Sequence, residues 1–297
     1  MLIRTDVITI GDPFVITCGD CYYMYATGFD CNGFKVRKSY DLKHWENLGV
    51  CLNLDDSWAF QDFWAPEVIY HNGKYVMHYS ARRKSDKSLR IGVAIADKPE
   101  GPFIDVHNGP MFDFGYAAID GHVFIDDDGV AYFYYSRDCS ENVVNGIRTS
   151  QLYVVKLSDD LTEVVSEPKF LFGASLPYET MYSNVCHWNE GPYLLKHNGK
   201  YYLTYSANCY GTKEYCVCLA ISEKPDEGFV KADSPILTYR DVESDFSGPG
   251  HNAFFKDKDG NLKMAFHIHT YADSPSHDRK AVIVDAQITD SSILFKL

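Results

Sequence analysis

Ionisable residues stand at corresponding positions of a short unit that the sequence repeats. The unit is an apolar run, a glycine turn and an aromatic-rich run, and its five turn glycines are Gly19, Gly73, Gly129, Gly199 and Gly260. Asp120, Glu190 and His251 each stand nine residues before the turn glycine of their unit. Asp12 stands seven residues before Gly19, and an even difference keeps a side chain on the same face of a strand. We therefore expect three carboxyl groups and one histidine to face a common opening.

Such a set of acids suits the hydrolysis of a glycosidic bond. Carboxyl groups that share a pocket repel one another, which raises the pKa of some of them. A protonated carboxyl group can then give its proton to the leaving oxygen, while an ionised one activates water or attacks carbon. Trp64 stands nine residues before Gly73 and offers a flat apolar face to a sugar ring. Each acid taken singly is an ordinary turn or rim residue, so the shared spacing is what favours a functional site.

The repeated unit predicts the fold that positions these residues. An apolar run, an Asn-Gly or Asp-Gly turn and an alternating aromatic run are typical of a β-hairpin. Two further strand-like runs follow each hairpin, as in LRIGVAIADKPEGPFIDV and YCVCLAISEKPDEGFVKA. Four antiparallel strands per unit form a propeller blade, so we expect an all-β, five-bladed β-propeller that occupies residues 1–297 as a single domain. Residues 1–10 either add a strand to the last blade or cross over it.

Composition argues against several classes of partner. The 22 Tyr and 18 Phe among 297 residues favour strands. The formal net charge of −13 argues against nucleic acid and against an anionic membrane surface. The sequence MLIRTDVITI lacks the features of a signal peptide, and no apolar run is long enough to span a bilayer. Nine dispersed cysteines, an odd number, are typical of reduced thiols, so we expect a cytoplasmic protein.

Six motifs in order carry a family resemblance: GDPFV, FWAPEV, AAIDGHVFIDDDGVAYFYYS, NEGPYLLKHNGKYYLTYSAN, SGPGHNAFF and HDRKAVIVD. Together they resemble glycoside hydrolase family 43, the five-bladed propeller glycosidases that act on arabinose- and xylose-containing glycans. The resemblance implies an inverting mechanism in which Asp12 is the general base and Glu190 the general acid. Asp120 would orient the acid and raise its pKa. Inversion leaves room for a water, so the base and acid carboxyl groups should lie about 6.5–9.5 Å apart.

The resemblance also implies contacts to substrate and to a metal ion. Trp64 falls at a stacking position, and Phe29 would form a second wall of the same pocket. Arg279 stands where the family has an arginine that hydrogen-bonds sugar hydroxyls, although an ordinary surface role fits the sequence equally well. His251 is similar to a histidine that in several members ligates calcium or its waters. A structural or substrate-facing histidine is the alternative, because calcium prefers oxygen ligands. No cofactor is required for the chemistry.

Several neighbouring residues have secondary interpretations. His187, Trp188 and residues 182–184 precede the acid and would shape the leaving-group side of the pocket. We interpret Glu67 as a structural carboxylate, Glu179 as a reserve acid outside the repeat register, and His267 and His269 as packing or rim residues.

The leading functional hypothesis is an inverting hydrolase that removes terminal α-L-arabinofuranosyl or β-D-xylosyl residues from plant-polysaccharide-derived oligosaccharides. An endo-arabinanase or a galactosidase is the alternative within the family. A retaining fructosidase is a rival, but its Asn-Asp-Pro-Asn-Gly and Arg-Asp-Pro motifs are missing, and SRDC at 136–139 has no proline. A propeller that binds sugar without cleaving it is the third reading, and three acids in one opening argue against it. The choice between arabinose and xylose, the choice between exo and endo action, and the oligomeric state are left open at this point.

Overall fold

The protein folds as a ring of five β-sheets, as the computed structural model shows for residues 2–181, 183–241 and 246–297. In chain order the strands are β1 (Leu2–Ile8), β2 (Gly11–Cys18), β3 (Cys21–Thr27), β4 (Gly33–Ser39), β5 (Glu46–Asn53), β6 (Ala59–His71), β7 (Lys74–Arg83), β8 (Leu89–Ala96), β9 (Ile104–Asp105), β10 (Ala118–Ile125), β11 (Ala131–Arg137), β12 (Val143–Val144), β13 (Ile147–Thr149), β14 (Gln151–Lys156), β15 (Lys169–Gly173), β16 (Cys186–His187), β17 (Asn189–His197), β18 (Lys200–Ala207), β19 (Cys216–Ser222), β20 (Val230–Lys231), β21 (Gly250–Lys256), β22 (Leu262–His269), β23 (Arg279–Ile288) and β24 (Ile293–Lys296).

Each blade is an antiparallel meander. Blade 1 is β2–β5, blade 2 is β6–β9, blade 3 is β10, β11, β14 and β15, and blade 4 is β17–β20. Blade 5 is β21–β23 completed by β1 and β24. The first strands β2, β6, β10, β17 and β21 contact one another in order around the axis. The all-β, five-bladed propeller is confirmed. The only helical segment in the described residues is a 3-10 turn, Pro177–Glu179, so none there is long enough to cross a membrane.

The N-terminal strand closes the ring. Strand β1 pairs with β23, with Leu2 opposite Val284 and Arg4 opposite Val282. The hydroxyl of Thr5 adds a bond to the carbonyl of Ala281 at 2.8 Å. Residues near the start of the chain therefore supply a strand to the last blade, which answers the question that the sequence left open.

Apolar clusters between neighbouring blades hold the ring together. Five large clusters lie in the described part of the chain, one at each junction between blades, and a smaller sixth cluster packs against Trp64. Aromatic residues of the second strands fill them, and Tyr25, Tyr79, Tyr134 and Tyr205 are completely or almost completely buried. Each of these phenols hydrogen-bonds a carbonyl or a carboxylate, as buried tyrosines usually do. The alternating aromatic runs of the sequence are therefore the inter-blade core.

A β-bulge interrupts every inner strand at the same level. The pairing of β10 with β11 shifts between Ile119 and His122, and the other four inner strands shift at the corresponding place. One residue of each bulge has a positive φ, at Asp12, Ala65, Asp120, Gly191 and His251. A bulge re-aims side chains, and bulges are common beside active sites. These five positions are the true structural equivalents.

The equivalence predicted for Glu190 and Trp64 is therefore wrong by one residue. Strands β6–β7 and β17–β18 are joined by two-residue turns, whereas β10–β11 and β21–β22 have five-residue loops. Counting back from the glycine consequently reaches different levels of the inner strand. Glu190 and Trp64 occupy the position before the positive-φ residue, where other blades have Gly11, Ile119 and Gly250.

Side chains of the second strands hold the bulges in place. The bulge N–H of Asp120 donates to Ser80 Oγ at 2.9 Å, and that of His251 donates to Ser206 Oγ at 2.7 Å. Ala65 and Asp12 donate in the same way to Thr27 and His267. Each partner belongs to the second strand of the preceding blade. Backbone strain at the bulges is thus offset by hydrogen bonds that connect one blade to the next.

Candidate active site

The bulged ends of the inner strands border a cavity of about 450 Å³. Every site residue proposed from the sequence lines it, namely Asp12, Phe29, Trp64, Asp120, Glu190, His251 and Arg279. The remaining lining residues are Asp62, Arg82, Leu89, Ile119, Asp138, Cys139, Ser140, Trp188, Tyr210 and His277. Residues that are up to 267 positions apart in the sequence thus meet in one opening.

Asp12 is held as a carboxylate. Arg279 Nη1 donates to Oδ1 at 2.9 Å, and Thr27 Oγ1 donates to Oδ2 at 2.5 Å. His251 Nδ1 lies 3.4 Å from Oδ1. Burial raises the pKa of Asp12, but the Arg279 guanidinium and His251 outweigh it and hold the pKa well below its usual range. Asp12 is therefore ionised at neutral pH.

His267 supports Asp12 as a neutral ring. Its Nδ1 accepts the backbone N–H of Asp12 at 3.2 Å and lies 3.4 Å from Arg279 Nη1, so this nitrogen carries no proton. Burial lowers the pKa of His267 to about 3, and its ring stacks on Tyr215 at 5.5 Å between centroids. The sequence assigned His267 to packing or to the rim. The structure confirms the packing role, because the ring is fully buried, and it also places the ring beside the Asp12 carboxylate.

Asp120 connects the middle of the cavity to the strand of Glu190. Its Oδ2 accepts the N–H of Gly191 at 3.0 Å, and His251 Nδ1 lies 4.0 Å away. Burial raises the pKa of Asp120 to about 6; the charge of Asp12 adds to this rise and His251 opposes it. Because the bonded amide directly follows Glu190, Asp120 fixes the position of that side chain.

Glu190 is held as a neutral acid. Tyr215 Oη donates to its Oε1 at 2.8 Å. Burial, followed by the charge of Asp120, raises the pKa of Glu190 well above its usual range. The cavity thus contains one carboxyl group that stays ionised and one that keeps its proton. That separation is what an acid–base pair requires.

Two glycines make room for the groups that contact these acids. A Cβ atom on Gly11 would lie 2.1 Å from Arg279 Cζ, and one on Gly250 would lie 2.2 Å from the Tyr215 ring. Gly11 and Gly250 occupy the bulge position that holds Trp64 in blade 2 and Glu190 in blade 4. Because glycine has no side chain at this position in blades 1 and 5, Arg279 and Tyr215 have room beside the strands.

We expect Gly11→Ala to lower kcat/KM by about tenfold or more, because the new methyl group displaces the Arg279 guanidinium from Asp12. The hydrogen bond that is lost involves a charged group, and such a bond is worth roughly 1.5–3 kcal/mol. Steady-state kinetics and thermal unfolding check this. Gly109→Ala is the matched control, since a Cβ there meets nothing within 4 Å. Equal kcat/KM for both variants would contradict the role assigned to the close contact between Gly11 and the Arg279 guanidinium.

Aromatic residues form the apolar wall. Trp64 packs on the buried cluster of Leu89, Ala117 and Ile119, and it also lines the cavity. Phe29, in the loop between β3 and β4, is 60% exposed at the entrance. Arg279 is 4% exposed and lies over Tyr210 at 4.7 Å, so the alternative of an ordinary surface arginine is wrong.

Other residues named from the sequence lie in various places. Trp188 lines the cavity. Glu67 accepts a bond from His122 at 2.8 Å and lines a separate cavity, as expected for a structural carboxylate. Glu179 is fully buried, where it pairs with Lys231, and does not face the acids. His187 lies on β16. His269 Nε2 hydrogen-bonds the backbone carbonyl of Tyr210 at 2.7 Å. Tyr182 lies outside the described residues.

Sequence reasoning missed two residues that donate hydrogen bonds to the acids and most of the other residues that line the cavity. Thr27 and Tyr215 donate to Asp12 and Glu190, yet both are ordinary members of aromatic or polar runs, so no local signal distinguishes them. Asp138 also lines the cavity. Its signal was present, because SRDC places an acid directly after a strand of blade 3.

The described residues do not fit a calcium site built from protein ligands. Calcium takes six to eight oxygen ligands. Around His251 the nearest carboxylates belong to Asp12 and Asp120, and Asp12 is already neutralised by Arg279. No group of three His, Cys, Asp or Glu in residues 2–181, 183–241 and 246–297 has the arrangement of metal ligands. His251 Nδ1 lies between two carboxylates at the cavity wall, 3.4 Å from Asp12 Oδ1 and 4.0 Å from Asp120 Oδ2.

The similarity of this chain to known proteins extends over nearly its whole length. The chain is similar to a thermostable family-43 glycoside hydrolase of known structure, with 42% identity, a TM-score of 0.93 and coverage of 99% of this chain and 95% of that one. It is similar to the structure of an endo-1,4-beta-xylanase from Bacteroides thetaiotaomicron VPI-5482, with 34% identity, a TM-score of 0.84 and coverage of 99% and 97%.

A curated relative is xylosidase/arabinosidase 43A of Humicola insolens, with 32% identity over 186 residues, or 53% of this chain. This chain spans about half, 55%, of the length of that relative. The sequence profile of glycosyl hydrolases family 43 matches residues 7–293. With the match extending over nearly all five blades, the chain belongs to glycosyl hydrolases family 43.

Proposed function

We propose that the protein is an inverting glycosidase that removes terminal α-L-arabinofuranosyl or β-D-xylosyl residues from plant-derived oligosaccharides. The observation that carries the proposal is the separation of charge states in one cavity. Asp12 is held ionised and Glu190 is held neutral. Relatives named xylosidase/arabinosidase support arabinose- and xylose-containing substrates.

The chemistry uses one water and two proton transfers. Asp12 takes a proton from a water molecule, whose oxygen attacks the anomeric carbon from the face opposite the leaving group. Glu190 gives its proton to the glycosidic oxygen as the bond to the anomeric carbon breaks. After the two sugars leave, Asp12 returns its proton to solvent and Glu190 takes one up. Arg279 holds Asp12 in one orientation, because its Nη1 bonds the oxygen that also faces His251.

Asp120 acts on the acid through its charge and its hydrogen bond. Its negative charge favours the protonated form of Glu190, and its bond to the Gly191 amide keeps the acid in place. Trp64 supplies the apolar surface against which a sugar ring lies. The cavity volume falls within the range of small-molecule sites, which suits one or two sugar units.

Endo action on xylan is the second candidate, because a solved relative at 34% identity is named an endo-1,4-beta-xylanase. Product analysis separates the two. From the first turnover onward, an exo-acting enzyme gives monosaccharide and a chain shortened by one unit, whereas an endo-acting enzyme cuts a long chain into two oligosaccharides.

The test of the proposal is a panel of nitrophenyl glycosides and of arabino- and xylo-oligosaccharides. We expect cleavage of an α-L-arabinofuranoside or a β-D-xyloside. Proton NMR of the first product should show the anomer opposite to that of the substrate. A first product of retained configuration, or cleavage of β-fructosides alone, would move the protein to a different mechanism.

The activity should depend on pH through two carboxyl groups. Because Asp12 must be ionised and Glu190 protonated, kcat/KM should be maximal between the lowered pKa of the first and the raised pKa of the second. Asp120→Asn should move the alkaline limb to lower pH, since the charge that raises the pKa of Glu190 is lost.

Profiles of kcat/KM against pH for the wild type and Asp120→Asn check this expectation. Asp127→Asn is the matched control, because it removes the same charge from an exposed turn of the same blade. An alkaline limb that stays in place in Asp120→Asn would show that Asp120 does not tune the acid.

A further inference from the structure

A fourth acid lies in the cavity and the mechanism above does not use it. Asp138 directly follows β11, lines the cavity with its neighbours Cys139 and Ser140, and is 7% exposed. Its backbone N–H donates to the carbonyl of Ala117 at 2.9 Å, and its Oδ1 accepts the N–H of Ser140 at 2.9 Å. These bonds hold the segment in one conformation with one carboxylate oxygen occupied.

The other oxygen has no strong donor. In the part of the chain that the structure describes, the contact to Asp138 Oδ2 is the thiol of Cys139 at 3.8 Å. The arginines that line the cavity are engaged elsewhere, Arg279 with Asp12 and Arg82 with Asp62. A buried carboxylate oxygen that lacks a donor is unfavourable. A ligand hydroxyl group would supply what the protein does not.

The position of Asp138 points to the leaving-group side of the cavity. Its neighbour Cys139 contacts Cys186 with 3.3 Å between the sulfur atoms, and Cys186 belongs to the segment that leads through Trp188 to Glu190. The charge of Asp138 raises the pKa of both Glu190 and Asp120, whereas it is not among the main influences on Asp12. Asp138 is thus beside the group that protonates the leaving oxygen, away from the group that activates water.

We infer that Asp138 is a specificity-determining residue that accepts a hydrogen bond from a hydroxyl group of the sugar on the leaving-group side of the scissile bond. The inference rests on the proposed function, because it assigns a subsite to that reaction. It implies that the enzyme distinguishes a sugar leaving group from an aromatic one. A nitrophenyl leaving group has no hydroxyl to donate, so Asp138 can contribute little to its binding.

The test compares a disaccharide with the nitrophenyl glycoside of the same terminal sugar. We expect Asp138→Asn to lower kcat/KM for the disaccharide at least tenfold, as loss of a hydrogen bond to a charged group does. The nitrophenyl glycoside should change by less than threefold. Values are taken from the pH-independent plateau of each variant, so that a shift in the pKa of Glu190 does not enter the comparison. Asparagine keeps an acceptor for the Ser140 amide, and thermal unfolding verifies the fold.

Three outcomes would overturn the inference. Equal losses of kcat/KM for both substrates would show that Asp138 contacts the cleaved sugar or acts only through the electrostatics of the cavity. No loss for either substrate would show that Asp138 does not contact the leaving group. A similar loss in the control Asp127→Asn, at an exposed turn, would assign the effect to net charge.

Failure of the proposed function gives a different result. If the wild type cleaves neither substrate, the glycosidase proposal fails, and calorimetric titration with the disaccharide still tests Asp138. Tenfold weaker binding by Asp138→Asn than by the wild type would then support the contact. Equal affinities, or the absence of binding by either protein, would overturn it.

Discussion

Glu190→Gln will lower kcat about 10²–10⁴-fold for an oligosaccharide substrate, which is the usual contribution of a general acid. Glutamine has the shape of the neutral carboxyl group and can still accept the hydrogen bond from Tyr215. The loss therefore isolates the missing proton. A nitrophenolate leaving group needs little protonation, so a nitrophenyl glycoside should lose far less activity. Steady-state kinetics on both substrates measure the difference.

The control for this substitution is Glu67→Gln, which makes the same change on an inner strand at a separate cavity. Its activity should stay near that of the wild type. Thermal unfolding of Glu190→Gln should be close to that of the wild type, because the replaced group is already neutral in the folded protein. Equal losses on the oligosaccharide and the nitrophenyl glycoside would remove Glu190 from the role of general acid.

Asp12→Asn will lower kcat by about the same 10²–10⁴-fold, but on both kinds of substrate alike. The base acts on the attacking water and not on the leaving oxygen, so its loss affects a substrate with either kind of leaving group. Kinetics on the same two substrates therefore give a different pattern from that of Glu190→Gln. More than a tenth of the wild-type activity in Asp12→Asn would show that another group activates the water.

The same substitution also has an expected effect on stability. It leaves the buried guanidinium of Arg279 without its charged partner, and breaking a buried ion pair costs about 3–5 kcal/mol. Assays should therefore be run well below the melting temperature of the variant.

The sequence by itself determined the architecture and which three acids share one opening. A hairpin is encoded within some 16 residues by an alternating run and a turn glycine, so five copies can be recognised without tertiary information. That reasoning led correctly to a five-bladed propeller in which Asp12, Asp120 and Glu190 border one cavity. Local rules were sufficient because strand direction and turn position are local properties.

Only the tertiary structure decided the register and the charge states. The bulge that sets Glu190 one residue away from the level of Asp120 is defined by pairing with the next strand, and no turn count contains it. Arg279 contacts Asp12 although 267 residues separate them in the sequence, because closure of the ring brings them together. The guanidinium fits there because Gly11 has no side chain. The pKa of a carboxyl group follows from its burial and from the charges beside it, and both are properties of the assembled ring.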